Sequence, residues 1–381
     1  MEKIKLDVCG NIFGIDGYAS HTKSLLNALL KNKDLDIKLN SQLPKDWVKN
    51  VTTEQLQCIT KPDRKEDWNL IITTPHYWKL FLGLGKNACY CVWEGDKVPL
   101  SWISEFQNPK VDLILVPSSH TLSAILFTCE LAGVNTEEIQ KKIKVMPHGV
   151  DRDIFYSREV KKDGSFTFIC NKGWRGTPWD RGGVQYVLKA FAEEFSKNEN
   201  VKLIIKLNPA YIDPNIIKQA VDNLKLAINR APIQVVSDFL PPTKLCDLYN
   251  MSDCFICATR AEAFNLPGLE AMSCGIPTIQ TSYGGQVDYM NDKNSLFISY
   301  DLSESEETPA YEGIKWANPK IEDIKKQMRW AFNNQDKIKE MGKQSEIYSK
   351  QWTWDESSRK LVEILCLSPS DKRKQKSNIK V

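Results

Sequence analysis

The sequence predicts an α/β protein made of two doubly wound parallel-sheet domains in tandem, and three observations point there. The chain has 381 residues, too many for one compact core. Short apolar runs without alternation recur between helical patterns, as expected for strands covered on both faces of a parallel sheet. The pattern then restarts after a polar, charged, aperiodic stretch at residues 151–164. Residues 1–160 and 161–350 are therefore the two expected domains.

Composition narrows the class. Lys plus Arg number 51 against 48 Asp plus Glu, a net charge of +3 that is too balanced for a dedicated nucleic-acid binder. No apolar run approaches the roughly 20 residues of a membrane span. The start of the chain alternates like a first strand and unlike a signal peptide, so a cytoplasmic protein is expected. The eleven cysteines are odd in number and sit mostly inside apolar runs, which reads as buried, reduced thiols. With four scattered histidines, no zinc pattern forms.

In chain order, residues 4–9 read as the first strand. The glycine-rich loop 10–20 leads into a helix with Leu25, Leu26, Leu29 and Leu30 on one face and Ser20 as its N-cap. The loop lacks the dinucleotide-binding spacing, and a need for positive φ explains its glycines equally well. Strands are expected at 35–39, 55–59, 68–73, 88–93, 111–116 and 143–146. His76, Glu94 and the Ser118-Ser119-His120 stretch follow strands, on the edge that also carries the Gly17 loop. In the second domain strands are expected at 166–170, 201–207, 233–236, 254–258, 277–280 and 296–298. Helices are expected at 183–195, 215–228, 243–251, 267–274 and 287–290, followed by 321–334, 337–350 and 354–367. Residues 369–381 form a basic, flexible tail, either solvated or drawn to an anionic membrane surface.

The most informative stretch is 259–270, a polar loop between the strand at 254–258 and a helix that has Pro267 near its start and Gly275 after its end. In open α/β sheets that edge collects ligands, and a helix N-terminus offers N–H groups to an anion. Two carboxylates, Glu262 and Glu270, bracket the turn, and hydroxyl groups are their natural partners. A first-turn acid favoured by the helix dipole, worth ~0.3–1 kcal/mol, is the plainer reading of Glu270. For Glu262 it is a solvated loop charge.

Glu262 and Glu270, eight positions apart beside Phe264-Asn265-Leu266-Pro267 and Glu270-Ala271-Met272, resemble the motif of the retaining glycosyltransferases of family 4. Further signatures of that family are Leu248 through Asp253, Gly275-Ile276-Pro277, Gly284-Gly285, Met146 through Asp151 and Tyr90 through Pro99. The resemblance thus spans residues 90–290. It implies the GT-B fold, two Rossmann-like domains facing a central cleft, with the helix at 352–368 packing back on the first domain.

The resemblance also implies roles. Glu262 faces the transferred sugar and Glu270 the ribose hydroxyls. Arg175 and Arg181 match a pair of basic residues six apart that bind the donor diphosphate, with Lys172 as a third cation; Arg181 stands where lysine is commoner. Gly17, Phe239, Leu240, Ala263, Phe264, Asn265 and Leu266 complete the donor side. Gly14, Tyr18, His76, Trp93 and Glu94 form the acceptor side. The catalytic set is Glu262, Arg175, Arg181 and Glu94.

No cofactor or metal is expected, since Asp34-Leu35-Asp36 and Asp151-Arg152-Asp153 are poor carboxylate clusters for a divalent cation. The partners implied are a UDP- or GDP-sugar and a glycan or glycolipid acceptor. Two departures stand out: Ala263-Phe264-Asn265 replaces Gly-Phe-Gly, and Trp93-Glu94 replaces a histidine. A nucleotide-sugar-binding protein without turnover and a phosphorylase are the alternative functions on the same fold.

Overall fold

The computed structural model describes residues 2–366 apart from 15, 46, 47, 49, 50, 210, 308 and 310; the basic tail at 369–381 lies outside the described residues. The chain opens with β1 (Ile4–Cys9), α1 (Gly17–Leu30), β2 (Leu35–Asn40), α2 (Thr53–Ile59), β3 (Trp68–Ile72) and β4 (Lys86–Tyr90). It continues through α3 (Ile103–Gln107), β5 (Leu113–Val116), α4 (Ser119–Leu131), α5 (Thr136–Lys142) and β6 (Ile143–Val145). The strands form one parallel sheet in the order β2-β1-β3-β4-β5-β6. Strand β3 is buried along its whole length, which is why its sequence does not alternate.

The second half repeats the plan. It runs β7 (Phe166–Lys172), α6 (Val184–Glu194), β8 (Val201–Leu207), α7 (Pro214–Asn223), β9 (Ile233–Val236), α8 (Pro242–Asn250), β10 (Cys254–Cys257), α9 (Leu266–Ser273), β11 (Thr278–Thr281) and β12 (Ser295–Ile298). These strands pair in parallel in the order β12-β11-β10-β7-β8-β9. Each sheet therefore reverses direction once, between β1 and β3 and between β7 and β10. Crevices open at such switch points, beyond the carboxyl ends of the strands. This is the two-sheet GT-B architecture expected.

An antiparallel hairpin, β13 (Tyr300–Glu304) and β14 (Lys315–Pro319), leaves the second sheet before α10 (Ile321–Asn333), α11 (Gln335–Ser349) and α12 (Trp354–Cys366). The last helix returns to the first sheet: Trp354, Leu361 and Leu365 are buried in one cluster with Leu25, Leu26 and Leu29 of α1. Ten cysteines are buried and only Cys366 is exposed. Among the described residues no helix is long and apolar enough to cross a membrane.

Several expectations are corrected. Residues 55–59, expected as a strand, form α2. Thr52 accepts from Gln55 N while Gln55 Oε1 accepts from Thr52 N, a reciprocal capping box. The cap of α1 is Asp16, whose carboxylate accepts from Ala19 N at 3.0 Å; Ser20 lies inside the helix. The helix expected to reach residue 228 stops at Asn223, because Lys225 takes φ 49°. Residues 285–288, and not 287–290, form a 3-10 turn.

The hairpin was not expected at all. It fastens the two halves together: Ile314, Trp316 and Ala317 are buried among Trp93, Val98 and Trp102 of the first half. Arg260, fully buried after β10, holds the hairpin from the other side, donating to Ala317 O at 3.1 Å, Trp179 O at 2.8 Å, Ser303 Oγ at 3.1 Å and Glu306 Oε2 at 2.6 Å. Truncation would leave two carbonyls and a carboxylate without this donor. Arg260→Ala is therefore expected to cost about 3 kcal/mol in urea unfolding, and a loss under about 1 kcal/mol would refute the anchoring role.

Candidate active site

The two sheets face each other across a cleft of about 960 Å³. At its centre lies the β7/β10 switch point, where strand ends deliver charged groups to a shared space. Lys172, the last residue of β7, is buried, and its ammonium donates to Glu262 Oε1 at 2.6 Å and Asn265 Oδ1 at 2.8 Å. Burial opposes both charges. Lys172 and Arg181 outweigh that effect at Glu262 and hold its carboxyl below the usual range. Glu262 in turn raises the Lys172 ammonium. Both groups are therefore ionised at neutral pH.

Asn265 explains how the turn works without its expected glycines. It takes φ 65°, ψ 67° as the residue before α9, the left-handed conformation that Asn tolerates. Its amide also donates to Gln280 Oε1 at 2.5 Å, and Tyr289 Oη donates to its carbonyl at 2.8 Å. Ala263 is not among the positive-φ residues, so no glycine is needed there.

The loop after β7 is shaped by Asp180, which accepts from Arg175 N at 2.8 Å and Gly182 N at 2.7 Å. Arg181 bridges the halves: its Nη1 lies 3.0 Å from Ala261 O and 3.2 Å from Glu94 Oε1, a residue beyond β4 of the first sheet. Arg175 reaches Glu307 of the hairpin at 3.1 Å but is more than half exposed, a pairing worth at most about 1 kcal/mol.

Glu270, in α9, accepts from Tyr249 Oη at 3.0 Å, and Tyr249 accepts from Asn171 Nδ2 at 2.8 Å. Burial pushes the Glu270 carboxyl up to about 7, with the Tyr249 hydroxyl only partly offsetting it. The two glutamates on one loop and helix thus differ in proton affinity. Glu262 has an ammonium at contact distance, and Glu270 has a neutral phenol.

Gly14, Gly17, Tyr18, Glu94, Arg175, Arg181, Phe239, Leu240, Glu262, Ala263, Phe264, Asn265, Leu266 and Glu270 all line the cleft. His76 and Trp93, expected on the acceptor side, do not. His76 is exposed, its ring tilted at 50° against Tyr77 with centroids 3.9 Å apart. Trp93 is buried, donates to Lys97 O at 2.6 Å and stacks on Tyr311 at 5.0 Å, so it serves as packing behind the wall. The sequence reading missed Lys206, Tyr211, Tyr249 and Glu307, which also line or support the cleft. Only Lys206 left a signal, as a charge inside the apolar run of β8. Among the described residues no group of three or more His, Cys, Asp or Glu side chains is arranged to hold a metal ion.

Residues 180–347, which include Arg181, Glu262 and Glu270, match the family described as glycosyl transferases group 1. The chain is 23% identical to glycosyltransferase 45 of Sulfolobus islandicus filamentous virus over 60% of this chain and 57% of that one. It spans about half the length of the curated relatives it matches there. The fold superposes on a glycosyltransferase from Rickettsia africae with TM-score 0.70 and 15% identity, covering 96% of this chain and 98% of the other. It also superposes on Anabaena HepE in complex with UDP-glucose, with TM-score 0.60 and 13% identity over 95% and 99% of the two chains.

The left-handed turn is directly testable. Asn265→Gly removes the side-chain hydrogen bonds but keeps the allowed φ, whereas Asn265→Ala removes them and adds strain of about 1–2 kcal/mol. Denaturant unfolding is expected to rank the variants wild type, Gly, Ala. An Ala variant as stable as the Gly variant would show that the φ of this residue does not matter.

Proposed function

We propose that the chain is a retaining glycosyltransferase that moves a hexose from a nucleotide-diphosphate sugar to a hydroxyl acceptor without a metal ion. The observation that carries this reading is the convergence, in one cleft, of Lys172, Arg175 and Arg181 with two carboxylates whose proton affinities are shifted in opposite directions. Cations suit a departing diphosphate, and a carboxylate held ionised suits the positive charge that develops at an anomeric carbon. The group 1 domain match and the superposition on a UDP-glucose complex support a nucleotide sugar, with UDP as the favoured carrier.

In this reading the donor lies along the second sheet, with its diphosphate on Arg175 and Arg181, its ribose on Glu270, its sugar against Glu262 and its base toward Phe239 and Leu240. Binding the diphosphate draws Arg175 away from Glu307. The acceptor enters from the Gly14–Tyr18 side and meets Glu94. The bond from the anomeric carbon to the phosphate oxygen breaks as the acceptor oxygen bonds on the same face. The leaving phosphate oxygen takes the acceptor proton, so no side-chain base is obligatory.

Release of labelled sugar from UDP- or GDP-sugars tests the reading: transfer or hydrolysis supports it, and binding without turnover makes the chain a sensor. Glu262→Gln, which keeps an oxygen for Lys172 and removes the charge, is expected to abolish turnover with donor affinity nearly kept, whereas Arg175→Ala weakens both. Wild-type rates in both variants would refute the assignment.

Glu270 makes a separate prediction. Its free carboxyl is half protonated near pH 7, and ribose hydroxyls donate to the ionised form. Donor binding therefore releases a proton, and affinity falls as pH drops through 7. Calorimetry should give a Kd about tenfold weaker at pH 6 than at pH 8, with the difference lost in Glu270→Gln. A flat profile in the wild type would contradict the ribose role.

A further inference from the structure

The hairpin was invisible in the sequence, yet it sends one side chain to a residue of the catalytic set. Tyr311, between β13 and β14, donates its hydroxyl to Glu94 Oε1 at 2.5 Å. Its ring is clamped on both sides, stacked on Trp93 at 5.0 Å and 20° and edge-on to Trp316 at 4.8 Å. The backbone beside it is pinned to the same first-sheet loop: Lys315 N donates to Asp96 Oδ1 at 2.7 Å and Asp96 N to Lys315 O at 3.4 Å. The Tyr311 hydroxyl is thus delivered to Glu94 by a ring packed against two others.

Glu94 Oε1 receives two groups, the Tyr311 hydroxyl and the Arg181 guanidinium at 3.2 Å. Among the described residues Oε2 has no hydrogen-bond partner, and Glu94 lines the cleft. A hydroxyl donor and an ion-paired guanidinium on one oxygen restrain the carboxylate and leave the other oxygen to a third group. Without the phenol, Glu94 could turn and grip Arg181 with both oxygens, the fork geometry that guanidinium and carboxylate prefer. That grip would use N–H groups meant for the donor diphosphate and remove the oxygen meant for the acceptor.

We propose that Tyr311 is a positioning residue for the transfer: it holds Glu94 so that Oε2 orients the acceptor hydroxyl while Arg181 keeps N–H groups for the diphosphate. The inference rests on the transferase reading above. Burial, with Glu94 beside it, pushes the Tyr311 phenol well above its ordinary value, so it is a hydrogen-bond donor throughout the working pH range. The hairpin belongs to the donor-binding half and Glu94 to the acceptor half, so the hydroxyl registers one half against the other.

The test is a double-variant cycle on the full chain. It uses UDP-glucose as donor and, as acceptor, whichever of a panel of methyl glycosides the wild type glycosylates fastest. Tyr311→Phe keeps the ring and loses only the hydroxyl. It is expected to lower kcat about tenfold, the size of a lost hydrogen bond to a charged group, and to weaken donor Kd by a smaller factor as Glu94 turns onto Arg181, with Tm unchanged. If Tyr311 acts through Glu94, adding Tyr311→Phe to Glu94→Ala costs nothing further. Unchanged kcat in Tyr311→Phe overturns the inference, and so do equal falls in kcat, donor affinity and Tm, or a further loss in the double variant. A wild type that binds UDP-glucose but turns over no acceptor fails the transferase reading instead, and the inference falls with it.

Discussion

The ion pair between Lys172 and Glu262, closed by Asn265, is the contact around which the cleft is arranged. Burying an ammonium and a carboxylate costs several kcal/mol, and their attraction offsets this only with close geometry and satisfied hydrogen bonds. Here the pair spans the β7/β10 switch point at 2.6 Å, and Asn265 takes another of the lysine's donors. The same asparagine sets the left-handed turn that starts α9. One buried contact therefore fixes the distance between the loop that carries Arg175 and Arg181 and the helix that carries Glu270. It also keeps Glu262 ionised in a site that would otherwise favour its neutral form.

The second constraint is the fastening of the two halves. Arg181 of the second half meets Glu94 of the first, Tyr311 meets the same carboxylate, and Arg260 ties the hairpin back to its own sheet. Charged groups at the cleft are thus held from two directions. The exposed Arg175–Glu307 pair differs, because it is weak enough for an incoming phosphate to replace it. Strongly held groups define the shape of the site, and loosely held ones are free to change partners.

Much of this was legible in local sequence. The strand–turn–helix around Glu262 and Glu270, and the cations six apart after β7, were readable because each lies within one βα unit whose geometry follows from spacing. The errors were also local: Thr52 and Gln55 already spelled a capping box, and Asp16 stood three residues ahead of the N–H it caps. The hairpin was a different kind of omission. Tyr311 and Glu94 are 217 residues apart, and nothing in the neighbourhood of either announces the other. His76 and Trp93 were expected at the cleft and do not line it, for the same reason. A strand end gives the edge of the sheet, but whether a side chain faces the cleft depends on what packs against it from elsewhere in the chain.

The central claim is that the charged cluster at the β7/β10 switch point is a nucleotide-sugar site. A crystal structure of the chain with UDP-glucose bound tests it most directly. The account predicts the diphosphate within hydrogen-bond reach of Arg175 and Arg181, the ribose hydroxyls on Glu270 and the hexose beside Glu262. A nucleotide bound with its diphosphate away from both arginines, or its ribose away from Glu270, would contradict it.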